Sequence, residues 1–342
     1  MRMAFLVNRV ETEIDEYATT RLAKAGALMG HDVWYAGLED LRLGEPDGAI
    51  GAYARGATAQ QSDTLTQFVD RVKDRSPESI RLDELDAVFI RNDSIEDLHD
   101  RPWASSLGAV FGQQLAQRGV TVVNEPTALV RAATKSYLDE FPAEVRPRSL
   151  VTRNEGDVRD FIASVGRCII KPLYGAQGRN VFRIEGVDEP NLNQMVESVL
   201  EDGYLYAQAY VDGAESGDLR IFLLDGELIE VDDHVAAFRR VPNGNDPRAN
   251  ICAGGKMEPA DVSENVRKMV KTMRDKLAHD GMFFVGIDVI GDKTIEINAE
   301  SPGGLQAIEQ MYGVDICPLV LDALERRTRT NGTATSQARY RN

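Results

Sequence analysis

Residues 288–304 read DVIGDKTIEINAESPGG, a strand, a tight turn and a second strand in which two carboxylates and an amide interrupt otherwise apolar runs. With Gly291-Asp292-Lys293 as a three-residue turn, Ile290 faces Thr294, and counting back along both strands sets Asp288 directly opposite Glu296. The period of two along a strand adds Asn298 to the same face. The flanks FFVGIDVI and TIEI imply a buried hairpin, where facing carboxylates repel unless a cation neutralises them. An oxygen-only set of this kind suits Mg²⁺, which takes carboxylate and carbonyl oxygens and fills its remaining positions with water or phosphate oxygen. Each of the three residues alone also reads as a solvent-facing strand position beside a turn; the case for a cation rests on the set.

Upstream, CIIKPLYGAQGRNVFRI (168–184) places Lys171 at the end of a buried strand, with Gly175 and Gly178 bracketing a turn into the next one. Such a loop lays backbone N–H groups over phosphates while a lysine neutralises charge, although a lysine before a glycine turn is also ordinary turn chemistry. No GxxxxGK[ST] occurs in the chain and no GxGxxG follows the first strand, which argues against a Walker loop and a Rossmann dinucleotide site. Asp218 and Arg220 share one strand face, and Arg248, Asn250 and Lys256 fall in a Gly/Pro-rich segment. Taken alone these are a charged edge and a solvated loop.

The 342 residues suffice for two or three domains, and a hydrophobic fraction of 43% is that of a globular chain. A net charge of −16 argues against nonspecific binding of nucleic acid or anionic membrane, both of which need a cationic surface. The opening MRMAFLVNRVETEIDEY has too short an apolar run for a signal peptide or a membrane span, so a cytoplasmic protein is expected. Cys168, Cys252 and Cys317 form no CxxC pair, and the four histidines never fall at ligand spacing, which argues against a zinc site or a disulfide framework.

Periodicity predicts a β-α-β opening (MAFLV, a helix through Ala18, Leu22, Ala25 and Met29, then HDVWYAG), a long loop or excursion over 44–80, a strand in 85–93, a helix at 104–118 and the strand VTVVN at 120–124. A smaller α+β module follows, with helices at 127–140 and 155–165 and the strands SLVTR, RCIIKPL and NVFRI. The third part holds YLYAQAYV, DLRIFLLDGELIEVDDHV, a polar loop from Pro242 to Lys256, a helix at 261–279, the hairpin and a last helix at 313–327. The polar tail 331–342 is expected to be disordered.

In this order, FIRND (89–93), VVNEPTAL (122–129), LVTRN (150–154), IIKPLYGAQG (169–178), AQAYV (207–211), GDLR (217–220), AGGKMEP (253–259), FVGIDVIGDKTIEINAESP (284–302) and GVDI (313–316) resemble the ATP-grasp superfamily, most closely bacterial glutathione synthetase. The likeness covers nearly the whole chain, and the FVGIDVIG…EIN segment is its most specific part. It implies an α/β fold of the α+β ATP-grasp type, with an N-terminal α/β domain (1–125), a small lid lobe (126–205) and a C-terminal lobe (206–330), the two lobes sandwiching ATP. It further implies that Lys135 and Lys171 meet the phosphates under the loop carrying Gly175 and Gly178, that Gln208, Ala209, Tyr210 and Val211 meet adenine, and that Asp288, Glu296 and Asn298 hold two Mg²⁺ ions. Arg220 and Arg248 would be catalytic, and Arg91, Asp218, Asn250, Lys256, Ser301, Pro302 and Gly303 would surround an amino-acid or peptide substrate. Under this reading the metal-nucleotide complex neutralises the carboxylates, so the site is electrostatically strained without it.

The implied reaction joins a carboxylate to an amine through an acyl phosphate, with ADP and phosphate released, and the implied assembly is a homo-oligomer built through the N-terminal domain. The chain departs from the family where glutathione synthetases resemble NVTSPTCIRE and this sequence has NAESPGGLQA. Gly303 and Gly304 remove side chains, Gln306 stands for an arginine, Lys256 replaces another, and the loop before Arg248 is longer. These changes touch the amide substrates rather than ATP. γ-Glutamylcysteine and glycine are therefore the first expectation, with a ligase joining glutamate or a γ-glutamyl compound to another amino acid as the alternative. An ATP-binding module without catalysis and a phosphotransferase stand behind both.

Overall fold

The computed structural model describes residues 1–44, 48–175, 179–242 and 256–339. The chain opens with β1 (Arg2–Val7), in which Met3 to Val7 are buried, and α1 (Ala18–Leu28), which buries Leu22, Ala23 and Ala25. Then come β2 (Asp32–Gly37), β3 (Leu41–Gly44), β4 (Ala49–Ala57), α2 (Leu65–Asp74), β5 (Glu78–Arg81), β6 (Ala87–Ile90), α3 (Asp97–Asp100), α4 (Leu107–Gln117), β7 (Thr121–Val123) and α5 (Pro126–Ala132).

The loop expected over 44–80 is instead β4, α2 and β5. AIGAYARGA has little strand propensity, yet Ile50, Ala52 and Ala54 are wholly buried and β4 pairs antiparallel with β2, β3 and β5, so tertiary packing overrides propensity. A signal for α2 was present: the Thr64 hydroxyl accepts from Gln67 N at 3.1 Å while the Gln67 side chain accepts from Thr64 N at 2.9 Å, a capping box ahead of the buried Phe68, Val69 and Val72.

The sheet runs β3-β4-β2-β1-β6-β7, with β5 on β4, and its β2, β1, β6 and β7 are parallel. From β1 the chain moves to β2 on one side and later to β6 on the other. Strand order therefore reverses between β1 and β6, the position beyond which α/β sheets generally bind ligands at their carboxyl ends.

The remainder holds β8 (Ser149–Thr152), α6 (Glu155–Val165), β9 (Cys168–Pro172), β10 (Phe182–Ile184), α7 (Leu192–Glu201), β11 (Leu205–Ala209), β12 (Asp218–Leu224), β13 (Glu227–Leu228), β14 (Glu230–Val231), β15 (His234–Val235), β16 (Ala237–Val241), β17 (Lys256–Pro259), α8 (Glu264–His279), β18 (Phe284–Ile290), β19 (Lys293–Asn298), α9 (Leu305–Tyr312) and α10 (Cys317–Arg339). β10-β9-β11-β8 form one antiparallel sheet over a core of Val158, Ile162, Ile170, Ile184, Val196 and Leu205. A second sheet runs β17-β16-β12-β18-β19. The helix expected at 127–140 breaks after α5 and resumes as a 3₁₀ turn, Lys135–Glu140.

Packing divides the chain into a first unit, Met1–Val130 with Asp280–Phe284 and Ala299–Asn342, and a second, Arg131–His279 with Val285–Asn298. The expected segment 206–330 is thus shared between units, because α10 packs on α1 and β7 with Val320, Leu321 and Leu324 buried. The last helix also differs from its expected span of 313–327: α9 precedes it, and α10 continues through 331–339, residues expected to be disordered. A helix already nucleated on a packed turn extends at low cost, one hydrogen bond per added residue.

Candidate functional site

Strands β18 and β19 pair Ile290 with Lys293, Val289 with Thr294, Asp288 with Glu296, Ile287 with Ile297 and Gly286 with Asn298. The turn is the two residues Gly291-Asp292, not three, with Gly291 at φ 60°, a left-handed conformation that glycine adopts without a Cβ penalty. Continued without interruption, that register would set Asp288 opposite Ile295 and turn Glu296 to the other face. A bulge at Ile295 restores the pair, so the expected partners meet by a different route. The Gln208 side-chain amide donates to the Ile295 carbonyl at 3.2 Å and holds the bulge.

Asp288 is 1% exposed. Arg220 donates to it through Nε and, at 3.0 Å, through Nη2, and Arg240 Nη2 lies 2.7 Å from its Oδ2. Arg240 also grips Asp218 with Nε and Nη2 at 2.8 and 2.6 Å. The register explains the cluster: Asp218 pairs with Arg240 across β12 and β16, Arg220 lies two places along β12 on the same face, and β18 is the next strand. Burial would raise the Asp288 carboxyl, but Arg220 and Arg240 outweigh it and hold it down at about 2. Burial prevails at Asp218, which is raised despite Arg240.

The charge of Asp288 is therefore balanced within the protein, and the expected electrostatic strain without metal does not hold for it. Sequence reasoning missed Arg240, because which arginine of AFRRV (237–241) faces Asp218 depends on strand register. Gly217 completes this corner. At φ 89° it brings the backbone close enough that a Cβ would lie 1.9 Å from the Arg240 carbonyl oxygen.

On the same hairpin face, Asn298 Nδ2 is 3.4 Å from Asp288 Oδ2, and Glu296, with its side chain 35% exposed, faces Lys135 Nζ at 4.0 Å. Lys135 also donates to the Gly175 carbonyl. Lys171 is buried on β9, 3.4 Å from Gln208 Oε1 and 5.5 Å over the Tyr206 ring. Burial lowers its pKa, while Glu296, Asp288 and Asp139 work against the shift. Within the second unit the structure thus brings together Lys135, Lys171, Gly175, Gln208, Asp218, Arg220, Asp288, Glu296 and Asn298.

Ala209 ends β11, opposite Cys168, and Tyr210 and Val211 follow the strand. The Tyr210 hydroxyl donates to Glu215 at 2.7 Å and its ring lies 4.7 Å from Arg167 and 5.0 Å from Arg183. Lys256 is exposed on β17, paired with Val241. Gly178, Arg248 and Asn250 lie outside the described residues.

Arg91, Ser301, Pro302 and Gly303 belong to the first unit. Arg91 is 3% exposed and donates through Nε to Thr19 Oγ1 at 3.1 Å and through Nη2 to the Pro302 carbonyl at 3.4 Å. Asn124 ties this segment down, its amide donating to the carbonyls of Phe284 and Ala299 at 3.0 and 2.6 Å and its oxygen accepting from Phe284 N at 2.8 Å. A further residue missed from sequence is Glu300, which accepts from Ser94 N at 3.3 Å and Ser94 Oγ at 2.9 Å and which burial pushes up to about 8.

Among the described residues no cluster of three His, Cys, Asp or Glu side chains offers a metal site, and no helix is long and apolar enough to cross a membrane. The hairpin's donors are two carboxylates and an amide, a chemistry that fits a hard cation. The Asp288 oxygens carry arginine bonds already, and Glu296 is the less committed carboxylate.

Residues 1–130 match the family described as prokaryotic glutathione synthetase, N-terminal domain, and residues 134–313 match prokaryotic glutathione synthetase, ATP-grasp domain. A glutathione synthetase of Synechococcus elongatus is 32% identical over 95% of this chain and 98% of its own length. One from Vibrio cholerae serotype O1 is 35% identical over 75% of this chain and 77% of its own. The ATP-grasp ligase PsnB, solved with a minimal precursor, Mg and ADP, superposes with a TM-score of 0.59 at 21% identity, covering 95% of this chain and 98% of that one, a likeness of fold.

Proposed function

The chain belongs to the prokaryotic glutathione synthetase family, an ATP-dependent ligase with the ATP-grasp fold, and on that premise we propose that it joins γ-glutamylcysteine to glycine through an acyl phosphate. The observation that carries the chemistry is the single hairpin face bearing Asp288, Glu296 and Asn298, with Lys135 reaching Glu296 and Lys171 buried nearby.

In this reading residues 126–205 and 206–330 act as the two lobes that hold ATP. Lys135 and Lys171 neutralise its phosphates, and the strand end from Gln208 to Val211 meets adenine. Glu296 and Asn298, with Asp288, would hold Mg²⁺, two ions in all, whose contribution when bound is to offset phosphate charge. The substrate carboxylate oxygen attacks the γ-phosphorus and the bond to the ADP oxygen breaks. The amine nitrogen then attacks the acyl carbon, phosphate leaves with the C–O bonding pair, and the nitrogen gives up a proton. Arg220, held rigid by Asp288, and Arg248 stabilise the negative charge that develops on oxygen. Arg91, Asp218, Asn250, Lys256, Ser301, Pro302 and Gly303 are the proposed surroundings of the substrates.

A second reading, in which glutamate or another γ-glutamyl compound is joined to a different amino acid, is favoured by exposed Gly303, where a Cβ would meet nothing within 4 Å, and by Lys256, which cannot copy the two-pronged hold of an arginine on a carboxylate. A homo-oligomer and a cytoplasmic location complete the proposal; sedimentation of the purified protein tests the former.

The deciding experiment is magnesium-dependent ADP release with γ-glutamylcysteine plus glycine, and with glutamate plus each amino acid, each product confirmed by mass. Turnover with the first pair alone supports glutathione formation, and turnover only with free glutamate moves the substrate assignment. Glu296→Gln should abolish ADP release, and ADP release that survives it removes the hairpin from the metal assignment.

A further inference from the structure

Lys171 on β9 is paired directly with Tyr206 on β11, so the two side chains share one face of the sheet. The Lys171 ammonium lies 5.5 Å over the Tyr206 ring and 3.4 Å from Gln208 Oε1, and Gln208 stands two places along β11 on that same face. Tyr206 is 1% exposed, and its hydroxyl donates to Asp139 Oδ1 at 3.3 Å. Asp139 is fixed in turn: it accepts from the Ser149 hydroxyl and pairs with Arg146 Nη1 at 3.2 Å, while Arg146 Nε donates to the Phe141 carbonyl at 2.9 Å. The 3₁₀ turn that holds Asp139 begins at Lys135, so one short element carries both the anchor of the ring and the second lysine. All of these residues lie in the second unit.

A buried ammonium is costly unless something of opposite polarity meets it. A carboxylate in contact would do so but would compete with a phosphate for the same N–H donors. The face of an aromatic ring is negative yet takes no conventional hydrogen bond, so it holds a cation and leaves those donors to an anion. Lys171 is met in this way: a ring face and an amide oxygen lie against it, whereas Glu296, Asp288 and Asp139 act on its charge through space. The bond from the Tyr206 hydroxyl to a carboxylate pins the ring in place.

We propose that Tyr206 is a positioning residue of the ligase: its ring, pinned by Asp139, is the platform that holds the Lys171 ammonium for a nucleotide phosphate. The proposal rests on the ligase reading for that phosphate and adds a residue which that reading does not contain. Lys171 retains 8% exposure, and Glu296, the carboxylate that acts on it most strongly, has a side chain 35% exposed. In this role Tyr206 acts through Lys171 rather than on the reacting atoms.

The test is calorimetric titration of the full chain with Mg-AMPPNP, comparing the wild type with Tyr206→Phe, with pentafluorophenylalanine at position 206, and with Tyr206→Met. Phenylalanine keeps the ring face, the fluorinated ring keeps the shape and reverses the charge of the face, and methionine removes the ring. The expected affinity is within about 3-fold of wild type for Tyr206→Phe and roughly 5- to 30-fold weaker for the fluorinated ring and for Tyr206→Met. In a Lys171→Met background the same exchanges at position 206 should change affinity by less than about 2-fold, since no cation is left to hold. Equal affinities of the phenyl and fluorinated chains, losses that persist in Lys171→Met, or a wild type that binds no Mg-AMPPNP would overturn the proposal. The fluorinated ring preserves the packing, so a folding failure of Tyr206→Met leaves the comparison decisive. Magnesium-dependent ADP release by the wild type reports on the ligase reading separately: turnover with equal phenyl and fluorinated affinities rejects the platform and keeps the ligase, whereas a loss that depends on both the ring face and Lys171, without turnover, does the reverse.

Discussion

Two sets of buried titratable groups in this protein are built on opposite principles. In the second unit Asp218, Arg240, Asp288 and Arg220 form a chain in which Arg240 bridges two carboxylates and Asp288 two arginines. In the first unit Glu13 and Arg91 are buried to a similar degree, yet each retains an unpaired atom. The satisfied set is a framework that positions the hairpin before any ligand arrives. The unsatisfied set carries a standing cost of burial without hydrogen bonds.

The strongest way to break this comparison is to remove one carboxyl from each set. Asp288→Asn removes the buried carboxylate that Arg220 and Arg240 both grip and should cost about 3–5 kcal/mol in urea unfolding. Glu13→Gln, which has no carboxyl to protonate on burial, should raise stability at pH 7 rather than lower it. A larger loss at Glu13 than at Asp288 would invert the assignment.

Next in size is the backbone that brings Arg240 into place. Gly217→Ala drives a Cβ into the Arg240 carbonyl and should destabilise by roughly 1–3 kcal/mol, with turnover reduced. Gly303→Ala meets nothing within 4 Å and should stay within about 0.5 kcal/mol of wild type, its effect read in substrate preference instead.

Acid and base titration separates the two sets by sign. The Asp288 carboxyl is depressed in the folded chain, so its stabilisation is present above the ordinary carboxylate range and is lost as pH falls from about 4 to about 2. The Glu13 carboxyl is raised from 4.5 to about 8, so between those values the folded chain binds more protons than the unfolded one and stability falls as pH rises. Melting temperature against pH should therefore be flatter in Glu13→Gln than in wild type from pH 5 to 8, with the acid limb unchanged. The smallest effect is expected at exposed Lys256, where replacement by Ala should leave unfolding within about 0.5 kcal/mol, any change appearing in the KM of a substrate carboxylate.

Much of the site was legible because hairpins are local. Apolar flanks and the period of two were enough to place Asp288 against Glu296, although the turn was read one residue too long and the bulge at Ile295 made good the difference. Residues 44–80 were misread as a loop because β4 is rich in Gly and Ala and becomes a strand only by being paired on both sides. The resemblance grouped Lys135, Lys171 and Arg220 with the hairpin and the structure sets all three beside it, but no local pattern distinguished Arg239 from Arg240, or Glu13 from the acids around it.

The chain by itself determined most strands and helices outside residues 44–80 and which hairpin side chains share a face, because backbone periodicity ties each residue to neighbours a few places away. Only the tertiary structure decided which cation meets Asp288, since Arg220 stands 68 residues earlier and reaches it through the order and register of separate strands. It also decided that Glu13 and Arg91 remain apart while buried. Those outcomes depend on the sum of packing over whole sheets, and no short segment contains that sum.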